Sequence, residues 1–549
     1  MTEKRKSRKA LGAAPPLVAD SAADRRRIRL IAIAILPALL LVYHLNGEFL
    51  VGNDAKPNVY LAVSVLNEGN PSFTPDEMPF MFLWKLQVKD RTATCLVPGW
   101  DRSLGGVPFA RLREAGLLTL KGNRYYVVPS VREGEYVCAY GPGAGLCFLP
   151  VAAVLHVMLG DLAAHPAALW YGAKFTAALL LAASAVAVFL TACLLTAVRR
   201  AALIALVYGL GTCVWSTSSQ SLWQHGANEF FLALGALLLV RASLQRRRWQ
   251  AVACGAAFAT AVVCRPTSAA FLAAVGVYLL VVDVKALARY ALGCLPLLLA
   301  VAGYNAYYLG SPLAFGQELS SLADSARVAG AGGVWQTPLW EGLAGVLVSP
   351  SRGLFVYSPV FLFALPGFYY AWRSGELRAL RPLTVAILAV LIASAKYYNW
   401  WGGWSYGYRL LVDLSPALSL LLVPVLDRIW RRRIPMAAFG AVLGWCVFVQ
   451  VVGVFAYDLT GWNNRTAYEV RPAGGQAPVI VDTPAEADRL RSRVGGQVRP
   501  VELDVDRPQY RHRLWSISDS QILCCLAHFG EFGRHRHEMA RDWLADPAR

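Results

Sequence analysis

The sequence predicts an all-α polytopic membrane protein of about eleven transmembrane helices, with a large first extracytoplasmic loop and a small extracytoplasmic α+β domain at its C-terminal end. Three observations carry that reading. Of 549 residues, 56% are hydrophobic and only 16% charged, and the mean hydropathy is +0.42, which is too apolar for one soluble core. The net charge is +18, but Lys and Arg fall in short clusters between apolar runs, the pattern of orientation signals and not of a nucleic-acid-binding surface. A long polar stretch follows the first apolar run, and a polar tail of mixed pattern follows the last.

Met1 to Arg29 carries nine Lys and Arg and no apolar run, so 1–29 reads as a disordered, cytoplasmic basic tail. The first span runs from Leu30 to Val51 and lacks a small-residue cleavage site, which makes it an anchor. Residues 52–168 form the first outer loop. Stretches such as Phe80-Met-Phe-Leu-Trp84 require that loop to be folded, because they would otherwise lie exposed. Gly141-Pro-Gly begins an apolar continuation to about Gly160, interrupted by Pro150 and His156.

Parity decides how that continuation lies. Ten spans are read near 170–197, 202–219, 228–244, 249–264, 267–283, 290–308, 354–372, 383–398, 410–428 and 435–457. The clusters between alternate spans hold fifteen basic residues, from Arg199-Arg200 to Arg431-Arg-Arg433. If 141–160 is re-entrant or interfacial, all of them fall in the cytoplasm, as the positive-inside tendency requires. The N-terminus is then cytoplasmic and the C-terminus extracytoplasmic, in a multi-pass protein of the cell (inner or plasma) membrane with lipid around it. The membrane part is 30–457. In 458–549, Pro478 to Asp482, Ala485 to Arg493 and Gln497 to Leu503 read as strand, helix, strand, and Arg534-His-Arg-His537 reads as a solvated tail.

Most cysteines lie in apolar runs as small hydrophobes. Cys95 and Cys138 share the outer loop and could pair, with Cys147 as a competitor. No zinc spacing, nucleotide fingerprint or Ser-His-Asp set is present.

Asp54, within Val51-Gly-Asn-Asp-Ala-Lys-Pro-Asn58, sits within a few residues of the lipid boundary, where a carboxylate is usually retained for chemistry. Six basic residues lie on the outer face against the general trend: Lys174, Arg265, Arg327, Arg352, Lys396 and Arg409. Together they point to an anionic ligand, and Arg suits bidentate phosphate contact. Trp223-Gln-His225 lies in another outer loop, where His225 is a candidate acid or phosphate donor. Tyr397-Tyr-Asn-Trp-Trp-Gly-Gly-Trp-Ser-Tyr-Gly-Tyr-Arg409 interleaves aromatics with three glycines, suited to a tight loop that places Trp400, Trp401 and Tyr408 against a sugar or lipid and Arg409 on a phosphate. A plain interfacial aromatic belt is the structural alternative.

On Asn53-Asp54, the Gly-Pro-Gly segment at 141, Ser351-Arg-Gly353 and Trp400 to Arg409, the membrane part resembles the GT-C-type integral membrane glycosyltransferases, the bacterial relatives of protein O-mannosyltransferases and lipid A aminoarabinose transferases. The resemblance implies transfer of a sugar, with inversion, from a polyprenyl-phosphate-linked donor to an extracytoplasmic glycan, lipid or protein. It implies Asp54 as the catalytic base and Arg352 and Arg409 as phosphate ligands, and Asn53, Lys56, Arg265 and Lys396 complete the expected substrate-binding set. Many relatives carry Asp-Glu where this chain has Asn53-Asp54-Ala55, which leaves a second acid such as Asp76 or Glu77 without support. The scheme requires no metal or other cofactor. The alternatives are a polymerase or ligase of lipid-linked glycans, and a transporter or flippase of a lipid-linked substrate, which would show two related halves with broken helices.

Overall fold

The computed structural model describes residues 22–88, 91–96, 103–104, 107–108, 118–123, 126–245, 247–317, 334–473, 477–481 and 484–545, with only the backbone for 83–123. Arg327 and the tail 1–21 lie outside the described residues.

The protein is a mostly helical, polytopic membrane fold. Among the described residues six helices are long and apolar enough to cross a membrane: Pro166–Cys193, Val198–Ser216, Gln224–Gln245, Val284–Leu309, Arg378–Lys396 and Arg433–Ala456. The bent pair Arg409–Leu420 and Val423–Ile429, at 49°, raises the number to seven. The shorter apolar helices Arg248–Cys264 and Pro266–Val282 coincide with two further expected spans. The run 354–372 is cut into Leu354–Tyr357, Pro359–Ala364 and Leu365–Arg373. Pro359 and Pro366 sit at N-terminal helix positions there, where a missing N–H costs nothing.

The first helix differs at both ends from the expected span. It covers Ala22–Tyr43, so 22–29 is helical and not tail, and the chain leaves the helix eight residues before Val51. It packs close to Val198–Leu210: a Cβ on Gly209 would lie 2.9 Å from Leu39, and the Tyr43 hydroxyl donates to the Gly209 carbonyl at 3.1 Å.

Residues 52–168, expected as the first outer loop, contain β-structure that apolar periodicity did not reveal. Leu83–Val88 is the central strand of an antiparallel sheet with Arg91–Leu96 and Leu118–Asn123 on its flanks. Two-stranded ribbons pair Ser103–Leu104 with Val107–Pro108 and Val127–Pro129 with Tyr136–Cys138. Cys138 is a buried free thiol whose Sγ donates to Asn58 at 3.5 Å, and burial pushes it up to about 12; the Cys95 side chain lies outside the described residues.

Gly143–Leu159 is a helix of 17 residues. Its glycines permit unusually close packing: a Cβ at Gly143 would fall 2.7 Å from Cys264 Cα, and one at Gly145 would fall 2.8 Å from the Asn58 carbonyl. The helix therefore clamps Lys56–Glu68 to the end of Arg248–Cys264, the two segments beside Asp54 and Arg265.

After the last span, Gln497–Asp504, Asn464–Arg471 and Val479–Val481 form an antiparallel sheet in that order, with Pro484–Val494 as the expected helix. The chain then returns to the membrane part. Phe532, Ala540 and Trp543 belong to the same buried cluster as the membrane helices. The expectation of a solvated Arg534–His537 tail is corrected by the helix Phe529–Ala545. There Arg536 is 3% exposed and donates to Val454 O at 2.7 Å and Gln220 Oε1 at 3.0 Å; His535 pairs with Asp458 and His537 with Glu48. Partners for His535, Arg536 and His537 help hold so basic a segment against the core.

Candidate functional site

Two pieces of chain far apart in sequence are laced together around Asp54. Leu50 N–H donates to Gln220 O at 2.9 Å, and Asn58 Nδ2 donates to Leu222 O at 3.1 Å. Between them the backbone crosses Trp223 so closely that a Cβ on Gly52 would touch the indole at 3.2 Å. A bulkier residue at 52 would push Asp54 off this surface.

Arg409 arrives from the aromatic loop. Gly402, Gly403 and Gly407 all adopt left-handed φ, at 74°, 66° and 64°, conformations open to glycine at little cost. Tyr408 anchors the loop: its hydroxyl accepts from Cys213 N at 3.2 Å and lies 2.9 Å from Ser358 Oγ. The following turn, Arg409–Leu414, sets Arg409 and Asp413 within one short helix.

The resulting cluster alternates in charge. Arg409 pairs with Asp54, donates from Nε to His225 Nε2 at 3.3 Å and lies 4.1 Å over the Trp223 ring. His225 Nδ1 lies 3.2 Å from Asp413 and 2.9 Å from Arg265 Nη1, so the ring is held between Arg409 on one side and the Arg265–Asp413 pair on the other. Arg265 pairs with the other oxygen of Asp413. The inner members are almost sealed, with side-chain exposures of 1% for His225, 3% for Asp413 and 6% for Arg265. Asp54 keeps 17% and Arg409 11%, so the cluster opens at its Asp54–Arg409 end. Tyr140 completes that end: burial and the nearby Asp54 charge hold its phenol well above the ordinary range.

Asp54, His225, Arg265 and Arg409 are thus brought together from the residues singled out in the sequence. Others have different duties. Arg352 was expected to hold phosphate, but all five of its N–H groups are taken inside the protein. Nε bonds Trp401 O, one terminal nitrogen bonds Ser351 O and Gln521, and the other bonds Gly403 O and Asn463, at 2.8–3.1 Å. It is a buried tie that folds the aromatic loop. Lys56 is 3% exposed, bonds Asn53 at 3.4 Å and lies 3.6 Å over Trp543, so Lys56 and Asn53 secure the C-terminal helix beside Asp54. Lys396 ends its helix half-buried, its carbonyl accepting from Thr337 N at 3.2 Å. Trp400, Trp401, Tyr408 and Arg409 share a narrow cleft with no room for a water molecule. Lys174 bonds Asn46 at 2.6 Å and sits buried, serving structure.

Sequence reasoning missed Asp413, the counter-charge to both Arg265 and His225. It lies in an apolar stretch, and its one signal was being an acid four residues after Arg409. It also missed Glu229, one turn beyond His225, whose oxygens accept from Ser218 at 2.6 Å and Tyr208 at 3.1 Å. Among the described residues no group of three or more His, Cys, Asp or Glu side chains comes together as a metal site.

No protein-family model matches the chain, and no curated protein matches it. The structure of ArnT from Cupriavidus metallidurans bound to undecaprenyl phosphate aligns at a TM-score of 0.43 and 12% identity, over 78% of this chain and 70% of that one. The oligosaccharyltransferase of Archaeoglobus fulgidus in its apo form aligns at 0.43 and 12%, over 77% and 54%. Archaeal AglB from Archaeoglobus fulgidus, in complex with an inhibitory peptide and a dolichol-phosphate, aligns at 0.40 and 13%, again covering 77% of this chain and 54% of that one.

Proposed function

We propose that this protein is a membrane glycosyltransferase that moves a sugar, with inversion, from a polyprenyl-phosphate-linked donor to an extracytoplasmic acceptor, with Asp54 as general base. The observation that carries the reading is the alternating cluster Asp54–Arg409–His225–Asp413–Arg265, sealed at its inner end and open where Asp54 meets Arg409. The Asp54 carboxylate is occupied by the Arg409 guanidinium. A donor phosphate that takes over Arg409 frees the carboxylate at the moment a substrate is present. Asp54 then accepts the proton of the acceptor hydroxyl as its oxygen attacks the anomeric carbon from the face opposite the phosphate. The bond from that carbon to the phosphate oxygen breaks, and its electron pair leaves on the phosphate, where Arg409 and Arg265 stabilise the developing charge.

Asp413 and His225 do not touch substrate in this scheme. Asp413 fixes Arg265 and together they hold His225, and His225 aims Arg409. The scheme places the reaction on the extracytoplasmic side of the cell membrane and uses no metal. Transfer of labelled sugar from a polyprenyl-phosphate donor by purified protein, compared with the Asp54→Asn variant, tests the reading. A transporter or flippase would move lipid-linked substrate across liposomes with no new glycosidic bond, and that outcome would replace it.

A further inference from the structure

Beside the loop that presents Arg409 lies a second cavity, of about 270 Å³, close to the lower end of the range small-molecule pockets occupy, roughly 300–1,000 Å³. Its walls include Glu341, Tyr398, Trp400, Trp401, Arg511 and Trp515. The segments are remote in sequence and held in place. Trp401 Nε1 donates to Asp506 at 2.7 Å, Arg511 lies 4.4 Å over the Trp401 ring, and Thr337 N donates to the Lys396 carbonyl at 3.2 Å.

Three features together define what fits. Trp400 and Trp515 meet at 5.5 Å with planes 53° apart, and Trp515 is 42% exposed, giving a corner of aromatic faces at the mouth. Polar groups accompany them: Glu341 lines the wall, and Arg511 Nε is buried with no hydrogen-bond partner among the described residues. Trp400 and Trp401 also line the narrow cleft that contains Arg409, so one pair of rings separates this cavity from the residue paired with Asp54.

A lipid chain here would cover the Glu341 carboxylate and Arg511 Nε without offering either a polar partner, at a cost of several kcal/mol in hydrocarbon surroundings. An anion would meet Glu341 as well as Arg511. A neutral ring with an apolar C–H face and hydroxyls on its rim satisfies both kinds of wall at once. We infer that this cavity is a saccharide subsite for the acceptor, taking one pyranose ring of a glycan; the inference rests on the transfer reaction proposed above. The acceptor is then a glycan, ahead of a bare lipid or a peptide.

The test uses the full chain in nanodiscs free of glycoside detergent, with saturation-transfer NMR against a panel of neutral hexose di- and trisaccharides and a Ser/Thr-containing peptide as control. At least one saccharide is expected to bind. Trp515→Ala and Arg511→Ala should each weaken it about tenfold, while Trp515→Phe and Asp54→Asn leave it within about twofold. Circular dichroism and thermal melts of the same samples separate lost binding from lost folding, and Trp515→Phe keeps the comparison alive if Trp515→Ala does not fold. Absence of binding by every saccharide, indifference to Trp515 and Arg511, or peptide binding at these residues overturns the inference. Polyprenyl-phosphate binding is measured in the same preparations: if wild type and Arg409→Ala bind it equally, the donor reading fails, and if only saccharide binding is absent, the subsite alone fails.

Discussion

Asp54→Asn separates the two duties the cluster gives this residue, because it keeps the volume and removes both the charge and the proton-accepting power. The four charged members of the cluster, with a neutral His225, sum to zero formal charge, and the substitution leaves it at plus one. A carboxylate and a phosphate about 5 Å apart at an effective dielectric of 20 repel by about 3 kcal/mol, an upper bound here because the open end is wetted. Donor affinity is therefore expected to lie between unchanged and roughly a hundredfold tighter, since Arg409 no longer has to leave Asp54. Transfer should fall by about a hundredfold to ten-thousandfold, or about 2.7–5.4 kcal/mol of barrier. The assay is labelled-sugar transfer under saturating donor, with binding of polyprenyl phosphate measured separately by tryptophan fluorescence. Near-normal transfer refutes the base assignment. Weaker donor binding refutes the competition for Arg409 on which the mechanism depends.

Four further outcomes follow from the same geometry. Arg409→Ala is expected to weaken polyprenyl-phosphate binding at least tenfold with the protein still monodisperse; an unchanged dissociation constant would remove Arg409 from the phosphate site. Asp413→Asn strands Arg265 in a nearly dry setting and should cost about 3–5 kcal/mol of stability, read as a lower midpoint in denaturant, and a wild-type midpoint would mean that the buried pair contributes little. Arg352→Met should lower the thermal midpoint and loosen the aromatic loop while donor affinity measured at low temperature stays within about threefold, whereas a selective loss of affinity would return Arg352 to the ligand site. A reporter fused after Asp458 should be active only in its extracytoplasmic form, and activity of the cytoplasmic form would overturn the topology.

Much of the arrangement was legible because membrane solvation leaves strong marks. Apolar runs gave the helices, and Asp54, His225, Arg265 and Arg409 stood out as polar groups in places where such groups are costly. Asp413 was invisible for the complementary reason: it looks like one more isolated acid until the fold brings Arg265 and His225 to it. Arg352 misled because an outer-face arginine offers five donors to a ligand or to the protein equally well, and only the positions of Trp401, Gly403, Asn463 and Gln521 decide between them. Helix ends were read too long at Val51 because hydropathy does not register where the backbone turns, and the outer-loop strands were missed because alternation there is weak.

The tie through Gln521 has a consequence for biogenesis. Its side chain accepts from Arg352 and from the Gly407 amide and donates to Ser405 O at 2.8 Å, while Arg536 reaches back to Gln220, the residue whose carbonyl pins Leu50. The aromatic loop and the Asp54 segment are both synthesised well before these two residues emerge. The residues that tie these two pieces together, Gln521 and Arg536, both follow them in sequence and act as the keystone. Loss of that docking would loosen the aromatic loop and the Asp54 segment together.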